Sequence, residues 1–154
     1  MMHSRRRALL AAVLGAATIA APLLAAPADL VRSRIASYRE LGAAFKAIND
    51  GLRGGEVQTV LVAQYARQIR NAARAQYTLF PAGTGPQAGI KTSAKPEIWT
   101  KPAEFRAAQD AFARQADALQ LAVNGGNAAA IRTEARKLGG TCKGCHDSFR
   151  TPVN

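Results

Sequence analysis

Residues 142–146 read Cys142-Lys143-Gly144-Cys145-His146. This is C-x-x-C-H, the spacing with which a chain holds a c-type haem. Two thiols must reach the two vinyl groups on one edge of a porphyrin, and an imidazole must rise from beneath the same ring onto the iron. Cysteines three apart on a helical turn, with the histidine next in line, meet both demands. Two other chemistries use such pairs. A thioredoxin-like dithiol needs a βαβ setting, and no alternating strand pattern occurs in this chain. A zinc site needs at least two further ligands, and outside the motif the chain offers only His3. The motif therefore predicts one covalent haem c, attached through Cys142 and Cys145, with His146 as an axial iron ligand. Both cysteines of the chain are then used, and no disulfide is available.

The motif lies on a longer stripe. Ile131, Ala135, Leu138, Cys142, Cys145 and Phe149 follow one another at spacings of four, three, four, three and four, the seam of a bundle helix. Asn127 comes after Gly125-Gly126 and is a good N-cap, so residues 127–149 are predicted to be helical. Three amphipathic segments precede it. Residues 29–52 place Val31, Ile35, Tyr38, Phe45 and Leu52 at helical spacings, with Gly42 on the same stripe and Asp29 as a cap. Residues 56–79 give a looser stripe of Val57, Leu61, Tyr65, Ile69, Ala72 and Leu79, with Arg67, Arg70 and Arg74 on a neighbouring face, and Pro81 stops the helix. Residues 102–123 bury Phe105, Ala108, Phe112, Leu119 and Val123. Between them, residues 81–100 form a long connection rich in Pro, Gly, Thr and Ser, a length that usually signals function, with Trp99 expected to plug the bundle end. Abundant alanine suits helices throughout. The pattern predicts an all-α, antiparallel four-helix bundle with the haem near the C-terminus of helix 4.

Residues 1–28 read as a cleaved secretory signal. Arg5, Arg6 and Arg7 form the charged start, Ala8–Leu24 an apolar run broken by Gly15 and Pro22, and Ala26-Pro27-Ala28 a small-x-small cleavage site. The run is short for a membrane span. The mature domain is then 29–154, exported to the periplasm, with no membrane span. The formal charge of the whole chain is +11, and it becomes +8 once the three leader arginines leave. These charges are scattered singly, with no run and no interleaved aromatics, so no nucleic-acid partner is expected. A field of this sign can steer an acidic redox protein.

The group opposite His146 decides what the haem does. Electron-carrying haems usually close the sixth position with Met or a second His. The chain's methionines are Met1 and Met2 and its other histidine is His3, and all three leave with the signal. Lysine, tyrosinate, the new N-terminal amine or no ligand remain. Burying an ionised lysine or tyrosine is costly, which favours an open or sterically covered site.

These residues resemble the cytochrome c′ family, within the larger group that includes the cytochromes c-556. The resemblance spans essentially all of the mature chain. It rests on Cys142-Lys143-Gly144-Cys145-His146-Asp147-Ser148-Phe149-Arg150, on Ala94-Lys95-Pro96-Glu97-Ile98-Trp99, and on Arg34-x-x-x-Tyr38-Arg39. It implies that Tyr38 faces the distal side of the haem, where the c-556 branch places a ligating methionine and the c′ branch a non-ligating bulky residue. It implies that Arg34 reaches a haem propionate and that Arg150 lies beside the proximal imidazole. The function implied is a periplasmic, redox-active protein with a five-coordinate iron that binds diatomic gas, nitric oxide and also carbon monoxide. The alternative is a c-556-like electron-transfer cytochrome with a filled sixth site. An enzyme is not expected. A minor peroxidase activity would need a distal acid–base group, and none is apparent. A homodimer through the first two helices and a redox protein partner are also implied.

Overall fold

A computed structural model of the protein describes residues 26–53, 59–86, 89 and 91–152. Almost all of the expected leader, together with Gly54, Gly55 and Val57, lies outside the described residues. Among the described residues there are four long helices: α1 (Pro27–Arg53), α2 (Thr59–Ala75), α4 (Pro102–Asn124) and α5 (Ala128–Phe149). A 3-10 turn at Gln76–Thr78 extends α2, and a short helix α3 (Glu97–Thr100) ends the long connection. Consecutive long helices pack side by side, α1 on α2, α2 on α4 and α4 on α5, while α1 and α5 touch much less. The result is the expected antiparallel four-helix bundle. Among the described residues the one extended pairing is an isolated antiparallel bridge, Ala94 to Arg150.

The helix ends follow local chemistry. The Asn127 side chain accepts from the Ala130 N–H at 3.0 Å, satisfying one of the free donors of the first turn of α5. Pro102 opens α4, where its missing N–H costs nothing. Asp29 does not cap α1. The helix starts at Pro27, and Asp29 sits in its first turn paired with Arg32. At the other end Arg132 Nε donates to the Leu52 carbonyl at 3.1 Å, so α5 satisfies one of the last acceptors of α1.

The main core joins Ala44, Ile48 and Leu52 of α1, Val62, Ala66, Ile69 and Ala73 of α2, Phe112, Ala116, Leu119 and Val123 of α4, and Ile131, Ala135 and Leu138 of α5. Two stripes differ from expectation. On α2 the buried residues are Val62, Ala66, Ile69 and Ala73, one position on from Leu61, Tyr65 and Ala72. Small Ala66 and Ala73 fill the inward positions, and the larger Leu61, 45% exposed, and half-buried Tyr65 lie to the side. On α1, Gly42 is exposed, whereas Ile35, Tyr38 and Phe45 are half-buried, Phe45 against Gly139 of α5. A buried polar clasp ties the end of α2 to α4: Gln76 Nε2 donates to the Gln109 carbonyl at 3.1 Å, and Gln109 Nε2 to the Gln76 carbonyl at 3.3 Å.

Candidate haem site

The last two turns of α5 place Cys142 and Cys145 on the inner stripe, half-buried, with His146 beside them and exposed. The cysteines sit at the junction of two apolar clusters. Cys142 packs on the main core. Cys145 packs on a second cluster of Ile98, Phe105 and Phe149, rimmed by Phe80, Ala94, Trp99 and Ala108. Its rings form a chain across the bundle end. Tyr38 and Phe80 lie 6.0 Å apart between centroids, Phe80 and Phe105 4.9 Å, and Phe105 and Phe149 5.1 Å, the last two edge-on. Trp99 closes this end as expected, its Nε1–H shared by the Phe80 and Pro81 carbonyls at 3.2 Å each.

The register of α1 against α5 aims Tyr38 at the motif. Leu52 meets Arg132 at one end of the seam. Seven residues on, Phe45 lies against Gly139, where a Cβ would come within 3.3 Å of the Phe45 ring. Continued by another seven residues, this antiparallel register brings Tyr38 level with His146. The electrostatics agree. Burial holds the Tyr38 phenol above its ordinary value, Cys145 pushes the same way, and Arg34 opposes. The phenol is therefore neutral near pH 7.

The donor set suits a covalent porphyrin. Burial raises the Cys142 thiol, and burial together with Cys142 pushes Cys145 up to about 11, so both are protonated thiols rather than metal-binding thiolates. Burial, then the charge of Arg150, lowers the His146 pKa against the opposing Asp147, which favours the neutral imidazole that iron needs. No cluster of three or more His, Cys, Asp or Glu that could hold a metal ion occurs among the described residues.

The two arginines differ in setting. Arg150 is exposed and caps α5 in extended backbone, donating its N–H to the His146 carbonyl at 3.0 Å. Arg34 is only 3% exposed. Its Nη1 donates to Leu79 O at 3.3 Å and Thr84 Oγ1 at 3.0 Å, and its Nη2 to Thr84 O at 3.0 Å and Thr92 Oγ1 at 3.2 Å. Its two Nη groups thereby make four hydrogen bonds. Lys143 points outward and pairs with Asp147. Sequence reasoning missed Phe80, Thr84 and Thr92. The one signal for the two threonines was the unusual length of the 81–100 connection, which Phe80 precedes.

The buried phenol carries a pH consequence. Its folded pKa lies above the ordinary 10.0, so its contribution to stability is complete below the unfolded value and is lost as pH rises through the folded one. Tyr38→Phe is expected to flatten the alkaline limb: between about pH 9 and about pH 11 its melting temperature should fall less than that of the wild type. Parallel losses in thermal melts would show that the phenol makes no such contribution.

The family model for cytochrome c′ matches residues 29–150. A cytochrome c′ from Pararhodospirillum photometricum is 35% identical over 127 residues, covering 82% of this chain and 99% of its own length. The crystal structure of cytochrome c′ from Rubrivivax gelatinosus superimposes with a TM-score of 0.75 at 30% identity, over 81% of this chain and 97% of its own. A cytochrome c′ from Alcaligenes xylosoxidans shares the fold at 24% identity, with a TM-score of 0.77 over 84% of this chain and 99% of its own. A helical bundle matched end to end, with C-x-x-C-H in its last turns, places the protein: the chain belongs to the cytochrome c′ family and carries one covalent haem c.

Proposed function

We propose that Cys142 and Cys145 form the thioethers, that His146 ligates the iron, and that Tyr38 stands over the opposite face without ligating it. The protein is then a periplasmic, redox-active binder of diatomic gas at a five-coordinate haem. The observation that carries this reading is the α1–α5 register, which sets Tyr38 level with His146 across the loosest seam of the bundle. Nothing in residues 4–154 supplies a methionine or a second histidine to compete for the sixth position. Ferrous haem, when bound, supplies the affinity for nitric oxide and carbon monoxide. The protein's part is to hold a neutral imidazole on one side and a neutral, packed phenol on the other. Arg34 is a candidate propionate partner, and Arg150 lies on the proximal side of His146.

Further support comes from relatives. The Alcaligenes xylosoxidans protein has been solved with nitric oxide bound to one variant and with carbon monoxide bound to another. At 24% identity that likeness carries the fold, so the gas assignment here rests on the residues. The family match beginning at residue 29 supports a domain of 29–154 behind a leader of 1–28, and with it export. None of the described helices is long and apolar enough to cross a membrane. A groove of ≈ 370 Å³ between α1 and α2, lined by Ala47, Asp50, Gly51, Leu61, Val62 and Tyr65, supports a homodimer through these helices. Leu61 in its wall is 45% exposed and the neighbouring Val60 79%, and one solved cytochrome c′ of this fold shows ligand-controlled dimer dissociation.

Two measurements test the assignment. Intact mass under denaturing conditions should show one haem added to the mature chain. The visible spectrum should be high-spin in both oxidation states. A chain without the added mass would remove the attachment, and a low-spin spectrum would favour the c-556-like electron carrier.

A further inference from the structure

We propose that Arg34 is a positioning residue for the distal gate: it ties Leu79, Thr84 and Thr92 together and, through Phe80, fixes where the Tyr38 ring sits. The inference rests on the reading of Tyr38 given above. A guanidinium at 3% exposure needs its donors filled. The acceptors of Arg34 all come from one connection, Leu79 and Thr84 at its start and Thr92 near its end. Thr84 is 1% exposed, and its hydroxyl accepts from Arg34 and donates to the Pro81 carbonyl at 2.8 Å. Thr92 Oγ1 also accepts from the Ala94 N–H at 3.2 Å.

Phe80 lies inside this clamp. The Arg34 guanidinium carbon sits 4.7 Å from its ring centroid and 5.9 Å from that of Trp99. On its other flank Phe80 meets Tyr38, one helical turn after Arg34. Phe105 and Trp99 hold the remaining edges of Phe80. Tyr38 therefore has a fixed ring behind it, and that ring is fixed by the cation beneath. The room into which Tyr38 can swing when a gas arrives is set by residues that never meet the iron.

The clamp reaches further. Past Thr92 the same connection pairs with the end of α5: Thr151 N–H donates to Ser93 O at 2.8 Å, and Lys95 N–H to Phe149 O at 3.0 Å. One segment thus runs from the Tyr38 side of the seam to the residues that follow His146.

The test is a set of double-mutant cycles on the mature holoprotein, with carbon monoxide and nitric oxide association to the ferrous form followed by stopped flow. Arg34→Lys, Thr84→Val and Thr92→Val should each speed carbon monoxide association by roughly threefold to tenfold, and these effects should vanish in a Tyr38→Ala background, as expected of coupled residues. The valine variants remove acceptors without touching the guanidinium, so they carry the test if Arg34→Lys folds poorly. An arginine that acts only on a propionate gives a different pattern. Arg34→Lys would shift the midpoint potential, its kinetic effect would persist without Tyr38, and the valine variants would be silent. That pattern, or unchanged rates in all three folded variants, overturns the proposal. If Tyr38→Ala itself leaves both gases unaffected, the distal reading of Tyr38 has failed instead.

Discussion

Tyr38→Ala is expected to speed carbon monoxide binding and raise its affinity by at least roughly tenfold, the equivalent of ~1.4 kcal/mol. The ring is half-buried and backed by Phe80 at 6.0 Å, and the α1–α5 register, continued from Leu52–Arg132 and Phe45–Gly139, brings it level with His146. An incoming gas must push it out of a packed position, and overpacking of this kind costs ~1–3 kcal/mol. The phenol does not offset that cost by ligating. It is neutral near pH 7, and burial raises its pKa further. The cost falls on every distal ligand, but carbon monoxide, the weaker one, loses the larger share of its usable affinity. Flash photolysis or stopped flow on the two proteins makes the comparison. Equal carbon monoxide binding in two high-spin proteins would show that Tyr38 is not the gate. Tyr38→Met should give a low-spin spectrum, because a thioether at this position can close the sixth site.

The paired substitution Cys142→Ala, Cys145→Ala should remove the covalent haem and lower the melting temperature sharply. The loss is uneven across the bundle. The main core, from Ala44 and Ile48 through Leu119 to Leu138, is closed by its own side chains. The end cluster is not so independent, because Cys145 is part of its wall and Tyr38 borders it through Phe80. Removing one large core aromatic costs ~3–5 kcal/mol through lost contacts and the cavity left behind, and a haem is larger than any side chain. Circular dichroism should show helix retained at low temperature and a lowered, broadened melt. A cooperative transition at the wild-type temperature, without haem, would show that the cofactor contributes nothing to the fold.

Much of this was legible in the sequence. The C-x-x-C-H motif needs no tertiary information, since its spacing is a property of one helical turn. The α5 stripe and its Asn127 cap were equally local, and both stand in the structure. The α2 stripe was misjudged by one position because Leu61 and Tyr65 look more like core than Ala66 and Ala73 do. The small residues fill the inward positions, and size alone does not reveal that. Arg34 shows the limit most clearly. By type it is a surface residue, yet it is buried by Thr84 and Thr92, which lie 50 and 58 positions away. Phe80 passed unnoticed for the same reason. It follows the end of α2 with no periodicity to mark it, and its importance comes from the three rings and one cation that surround it.

The account is tested most directly by titrating the ferrous holoprotein with nitric oxide and following its visible spectrum. It predicts a high-spin spectrum before addition and saturable binding close to equimolar, with the haem still attached to the denatured chain. A spectrum that is low-spin at the outset and unchanged by nitric oxide would contradict it, because the sixth position would already be filled.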